Sequence, residues 1–190
     1  MVFDHLVNGS KVSRLGFTNS GNKLCTGFFF VVCFNQVDDC FQRSKKCRAG
    51  LVCKAYEQIR STGLIRLFKS YKPEYPDGGQ QRDFIYVKDA VDMTLHLAEN
   101  EEAGGLFNVG SGVARTWVDL ANALFSALGQ TPKIEFIDMP ENIRDQYQYY
   151  TCADISKVRG TGYAPATTSL EEAVRDYAVN YLMPGKRLGE

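Results

Sequence analysis

One stretch of this 190-residue chain constrains its fold more than any other. It reads Gln81-Arg82-Asp83-Phe84-Ile85-Tyr86-Val87-Lys88-Asp89-Ala90-Val91-Asp92, followed one helix length later by Gly105-Leu106-Phe107-Asn108-Val109-Gly110-Ser111-Gly112. Phe84 to Val87 predicts a short strand, being aromatic and β-branched. Asp89 to about Glu99 predicts a helix with Val91, Leu95 and Ala98 on its buried face. Leu106 to Val109 predicts another strand.

The flanking segments extend this pattern. Leu51, Val52, Ala55, Tyr56 and Ile59 fall at helical spacing, with Gly63 placed for a C-cap. Ile65 to Phe68 predicts a strand, and the Pro- and Gly-punctuated run from Lys72 to Gly79 a loop. Thr116 with Asp119 predicts a capping box ahead of the stripe Trp117, Leu120, Ala121, Leu124, Phe125 and Leu128. Ile134 to Ile137 alternates as a strand does. Ser169 with Glu172 predicts a second capping box, leading a helix that buries Ala173, Val174, Tyr177 and Tyr181. The sum is a small mixed α/β domain from about residue 49 to 183. Before it, only Phe28 to Phe34 gives a clear signal, that of a buried strand.

Composition excludes several function classes. Hydrophobic residues make up 44% and charged residues 23%, ordinary for a globular domain with a real core. The net charge is zero, so no general affinity for nucleic acid or for a membrane surface is expected. The longest apolar run is too short to span a bilayer, and no signal peptide is evident, which makes the cytoplasm the expected location. The first fifty residues contain seven Lys or Arg, three Asp and no Glu, so charge is divided about +4 and −4 between the two parts. Cys25, Cys33, Cys40, Cys47 and Cys53 match no zinc spacing, so no metal site is expected and free thiols are the plain reading.

Two places carry candidate chemistry. Arg82 beside a strand offers a planar fork to a phosphate, or else pairs with Asp83 or Asp89. Asn108 to Gly112 has the look of a Gly-rich phosphate cradle, or else of a tight turn whose glycines supply positive φ. It is not a dinucleotide fingerprint, because Arg115 stands where a third glycine is needed.

The word Arg-Asp-Phe-hydrophobic-Tyr-Val-x-Asp, a helix, and then Leu-Phe-Asn-Val-Gly-Ser-Gly resembles the second half of the extended short-chain dehydrogenase/reductase family. These are the NAD(P)-dependent nucleotide-sugar epimerases and dehydratases. Ala55 to Arg60, Arg66 to Tyr71, and Ile137 to Asp154 resemble the branch that epimerises an ADP-heptose at C6. The last of these reads Pro-Glu-x-hydrophobic-Arg-x-x-Tyr-Gln-x-x-Thr-x-Ala-Asp from Pro140. The resemblance runs from about residue 49 to 181.

That resemblance implies an α/β fold: the C-terminal substrate-binding part of an extended short-chain dehydrogenase, a Rossmann-type epimerase, with the N-terminal dinucleotide-binding half largely absent. It divides the chain into an unassigned segment, 1–48, and a nucleotide-sugar-binding domain, 49–190. It implies an ADP-sugar as substrate, NADP (or NAD) as cofactor of the complete enzyme, and allows a homo-oligomer. Residue by residue, Arg82 matches the substrate-binding arginine near the diphosphate, and Tyr147 a tyrosine that contacts substrate. Phe68, Lys69, Ser70 and Tyr71 match the backbone stretch along the nucleotide. Lys54 falls where the family carries a substrate-contacting histidine. Lys45 falls at the catalytic lysine that acts as a second acid or base, and Asn35 echoes a Phe-Asn-Val segment on the cofactor side.

The family also needs a G-x-x-G-x-x-G turn and a Tyr-x-x-x-Lys pair. Neither occurs in these 190 residues. The expectation is a chain without turnover by itself, from an epimerase whose reading frame was interrupted upstream. Upstream DNA encoding neither motif would sink that idea. The competing expectations are another epimerase or dehydratase of the family, or a non-catalytic protein that binds nucleotide sugars.

Overall fold

The computed structural model describes residues 51–186 in full and, before them, the backbone of three strands. In chain order the elements are β1 (His5–Val7), β2 (Ser10–Leu15), β3 (Phe30–Phe34), α1 (Leu51–Thr62), β4 (Ile65–Phe68), β5 (Gln81–Asp83), α2 (Val87–Glu99) and β6 (Gly105–Val109). There follow β7 (Ala114–Thr116), α3 (Trp117–Ala127), β8 (Ile134–Ile137), α4 (Glu141–Arg144), α5 (Ser156–Gly160) and α6 (Leu170–Tyr177), which runs on into a π-helical turn (Ala178–Leu182).

Three sheets result. The first has the order β1-β2-β3-β6; its first three strands are antiparallel, and β3 runs parallel to β6, with Phe30 opposite Gly105. A parallel pair requires a long crossover, and the segment between β3 and β6, with α1 and α2, supplies one. Strands β4 and β8 form a second parallel pair, Ile65 opposite Ile134. The short strands β5 and β7 are antiparallel, Arg82 opposite Arg115.

Two apolar clusters hold the described region together. In the first, α3 places Leu120, Ala121, Leu124 and Phe125 against Ile59 of α1, Ile65 of β4, and Leu170 and Val174 of α6. Both capping boxes are formed: Thr116 accepts from the Asp119 amide at 3.0 Å, and Ser169 from the Glu172 amide at 3.2 Å. Such caps satisfy amides that a helix start otherwise leaves without partners. Helix α1 ends on Gly63, at φ 73°, whose amide donates to the Ile59 carbonyl at 2.7 Å. The second cluster packs Ala90, Met93 and Leu97 of α2 on Phe107 and Val109 of β6, with Val158 and Tyr163.

Three local expectations change. The strand expected at Phe84 to Val87 lies instead at the polar residues 81–83, and Val87 already begins α2. The Gln81 backbone decides this, being bonded on one side to β7 and on the other to the Tyr149 carbonyl at 2.8 Å and the Thr151 amide at 3.2 Å. The buried face of α2 is Ala90, Met93 and Leu97, while Val91 and Leu95 are 52% and 54% exposed. Polar anchors set that rotation: Asp89 accepts from the Thr168 amide (2.7 Å) and hydroxyl (2.8 Å), and Asp92 from the Tyr163 hydroxyl (2.8 Å). In α6 the fully buried residues are Leu170, Val174 and, just beyond, Ala178; Ala173, Tyr177 and Tyr181 are half-buried. No helix among the described residues is long and apolar enough to cross a membrane.

Asp176 ties the start of α2 to α6. Its carboxylate accepts from Lys88 Nζ (2.8 Å), the Tyr86 hydroxyl and Asn180 Nδ2 (2.7 Å). The Lys88 bond, then those from Tyr86 and Asn180, lowers the Asp176 carboxyl to about 2. A carboxylate depressed on folding stabilises the fold above its unfolded value and ceases to do so as pH falls through its folded value. Urea unfolding of the wild type is therefore expected to weaken between about pH 4 and pH 2 by roughly 1 kcal/mol, screening by solvent included. Asp176→Asn should lack this step; equal pH profiles for the two proteins would refute the assignment.

Candidate functional site

The strand residue Asp83 organises the site from below. Its carboxylate is buried and accepts four hydrogen bonds: from the Ser111 amide (2.7 Å) and hydroxyl (2.5 Å) through Oδ1, and from the Gly112 amide (3.0 Å) and Ala153 amide (2.9 Å) through Oδ2. The loop Asn108–Gly112 is thus a tight turn whose amides face a carboxylate of the protein itself. Of the two readings these residues allow, the tight turn is the one formed, and the donors a phosphate would use at Ser111 and Gly112 are engaged by Asp83. Gly110 is needed for the close approach: a Cβ there would lie 2.3 Å from the Ala153 Cβ and 2.6 Å from Asp83 Oδ2.

Arg82, one residue earlier, points to the opposite side of β5. It is only 3% exposed, and its Nη1 donates to the Gln81 carbonyl at 2.8 Å. The guanidinium carbon lies 5.2 Å from the centre of the Tyr147 ring and 5.9 Å from that of Trp117, within cation–π range. Asp89, read as a candidate ion-pair partner for Arg82, points its carboxylate at Thr168 instead.

Tyr147 is the hub of an aromatic group. Its hydroxyl accepts from Trp117 Nε1 at 3.1 Å, and its ring meets Phe68 and Tyr149 edge-on at 6.3 and 5.6 Å between centres. The stretch Phe68–Tyr71 leaves β4 beside it. The Tyr71 amide donates to the Tyr149 hydroxyl (2.9 Å) and the Ser70 amide to Asp77 (2.7 Å). Gln80, fully buried, donates through Nε2 to the Phe68 and Lys69 carbonyls, each at 3.4 Å. Lys69 Nζ and the Tyr71 hydroxyl both donate to Asp138 Oδ1 at 3.2 Å, and the Arg144 guanidinium covers the Tyr71 ring at 4.2 Å. These bonds lower the Asp138 carboxyl and raise the Lys69 ammonium.

The structure therefore brings together Arg82, Tyr147 and Phe68–Tyr71, which lie far apart in the chain. Lys54 stands on α1 at the edge of an adjoining cleft of about 180 Å³ that is also lined by Leu67, Trp117 and Leu120. Lys45 and Asn35 lie outside the described residues. Sequence reasoning missed Trp117, Tyr149 and Gln80. Its spacing places Trp117 at the head of the α3 core stripe, yet it is half-buried with its ring nitrogen bonded to Tyr147. The available signal was a tryptophan at the first helical position, where the ring can leave the core. No group of three or more His, Cys, Asp or Glu side chains among the described residues could hold a metal ion.

Parallel strand pairs joined through helices define the class: part of an α/β fold of the extended short-chain dehydrogenase kind. Known proteins agree. Residues 42–110 match the NAD dependent epimerase/dehydratase family. The chain is 50% identical over 132 residues to the ADP-L-glycero-D-manno-heptose-6-epimerase of Nitratidesulfovibrio vulgaris, a match covering 70% of this chain and 41% of that protein. The solved Helicobacter pylori enzyme of the same name is 25% identical, with a TM-score of 0.55, over 72% of this chain and 38% of that one. The fold is also that of a Methanobrevibacter ruminantium UDP-N-acetylglucosamine 4-epimerase, at TM-score 0.62 and 21% identity over 82% of this chain and 46% of that one. The chain belongs to the NAD dependent epimerase/dehydratase family, and it spans about two fifths of the length of the curated relatives it matches.

Removing the Asp83 carboxylate would strand buried donors, which costs far more than the bonds themselves contribute. Asp83→Ala is expected to lower stability by about 3–5 kcal/mol. Asp83→Asn should cost less, since Oδ1 keeps its two donors while an amino group confronts the Gly112 and Ala153 amides. Urea denaturation midpoints test this; a loss below about 0.5 kcal/mol for Asp83→Ala, the size of an ordinary surface change, would refute it.

Proposed function

We propose that this chain forms the sugar-nucleotide side of an epimerase that acts at C6 of ADP-D-glycero-D-manno-heptose, giving the L-glycero epimer used for the lipopolysaccharide core. The observation that carries the proposal is the convergence of Arg82, Tyr147 and the Phe68–Tyr71 backbone on one place in the fold. Arginine is the side chain best matched to a diphosphate, by charge and by its planar fork. Arg82 takes the diphosphate, Tyr147 contacts the sugar-bearing end, and Phe68, Lys69, Ser70 and Tyr71 run along the nucleotide. Lys54, which lines the same cleft as Trp117, meets the same ligand in this reading. The names of the relatives at 38–50% identity support the ADP-heptose as substrate over other nucleotide sugars. In this reading residues 49–190 are the nucleotide-sugar domain, and the whole protein works in the cytoplasm.

The family is NAD dependent by its description, and a nicotinamide cofactor, NADP in this reading, would serve the complete enzyme. The described residues do not fit a dinucleotide. The one Gly-rich turn after a parallel strand, Asn108–Gly112, spends its Ser111 and Gly112 amides on Asp83. No tyrosine of the chain is followed four residues later by lysine. No step of the redox chemistry is therefore assigned to these residues. Lys45 as an acid or base and Asn35 beside the cofactor remain part of the proposal for the complete enzyme.

Calorimetric titration of the full chain tests the reading. ADP-glucose should bind, NADP should not, and Arg82→Lys should weaken ADP-glucose about tenfold by replacing a bidentate fork with a point charge. Folded protein that binds no ADP-sugar would overturn the proposal.

A further inference from the structure

Strand β6 ends the order of its sheet: β3 pairs with one of its edges, and among the described residues no strand pairs with the other. An open edge presents a row of backbone groups on which another strand can add. Here one side chain interrupts that row. Lys157, from α5, donates through Nζ to the carbonyls of Gly104 (3.2 Å) and Leu106 (2.8 Å). Carbonyls two residues apart point to the same side of a strand. One ammonium therefore takes two successive acceptors of a single edge.

The surroundings suit that arrangement. Nζ lies 4.1 Å from the centre of the Phe107 ring, so the ammonium also has an aromatic face beside it. Gly105, between the two carbonyls, has φ 91°, and a Cβ there would come within 3.2 Å of Nζ. The far half of the strand is covered differently. Asn108 Nδ2 donates to the Asp154 carbonyl at 3.2 Å, and the Ala153 amide is held by Asp83 at 2.9 Å. The near half carries an apolar side chain in solvent, Leu106, which is 53% exposed. Without Lys157 that half would offer both unpaired carbonyls and an apolar contact.

We propose that Lys157 closes the outer edge of β6 against pairing with a second copy of this chain. Its ammonium occupies the carbonyls that an added strand needs, and an incoming strand would have to strip water from a charge. A second copy is the occupant that this edge fits. The same edge on two chains, one turned antiparallel to the other, is self-complementary, and the pair closes on itself. None of the residues assigned to the sugar nucleotide takes part, so the inference stands apart from that reading.

Light scattering of the full chain over a range of concentrations tests it. Lys157→Met keeps an apolar stem and loses every donor. Its mass should rise with concentration to about twice that of the wild type, with a new infrared band from strands paired between molecules. Lys157→Arg keeps donors at the same place and should match the wild type. Lys157→Met combined with Leu106→Lys returns a charge to the edge without restoring the hydrogen bonds, and should return the mass to that of the wild type. Equal masses for wild type and Lys157→Met at every concentration would overturn the proposal. Association that Leu106→Lys leaves in place would also overturn it, because the contact would then lie on another surface. Lys157→Met that does not fold overturns it as well, since the ammonium would then be holding the single chain together and not guarding its edge.

Discussion

The carboxylate of Asp83 is the interaction on which the described region depends. Three pieces of chain converge there: β5, the turn after β6, and the segment that carries Ala153. An ionised carboxylate accepts from several donors and gives none, so it suits a place where backbone amides from two other segments point inward. Gly110 completes the arrangement by having no Cβ to hold those segments apart. Because Asp83 faces one side of β5, Arg82 necessarily faces the other, toward Trp117 and Tyr147. The structural and the candidate functional side of the molecule are thus consecutive residues of one three-residue strand.

Burial of Arg82 has a related physical logic. A guanidinium taken out of water loses hydration that must be replaced. Aromatic faces and a carbonyl at 2.8 Å supply part of the replacement here, and guanidinium groups tolerate such surroundings better than ammonium groups because they are more weakly hydrated. Tyr147 is itself braced by Phe68, Tyr149 and Trp117. The arginine therefore sits in a rigid aromatic frame, which favours recognition by reducing the ordering that a ligand would have to impose.

Much of the fold was legible in the chain because its signals are local. Both capping boxes, the Gly63 helix end, and the strands at 65–68 and 134–137 formed as their residues predict, since each depends on neighbours within a few positions. Helix α2 shows where this fails. It carries two apolar stripes, Ala90-Met93-Leu97 and Val91-Leu95-Ala98, and periodicity alone cannot rank them. Asp89 and Asp92 chose between them by bonding to Thr168 and Tyr163, some seventy to eighty residues away in sequence. Strand β5 departs from the local pattern for a similar reason: its residues are polar, and its backbone partners at Ala114–Thr116 and Tyr149–Thr151 are remote.

The family is written in the words around Arg82 and Tyr147. Residue types and spacings carry that information without any fold, because each reports a local chemical requirement. Only the tertiary structure decided what those residues touch. It placed Arg82 over Tyr147 and Trp117, engaged the Asn108–Gly112 amides with Asp83, and turned Trp117 from a core residue into a neighbour of the site. Hydrogen bonds and ring contacts between segments distant in the chain are set by packing, and no local pattern encodes which donor will meet which acceptor.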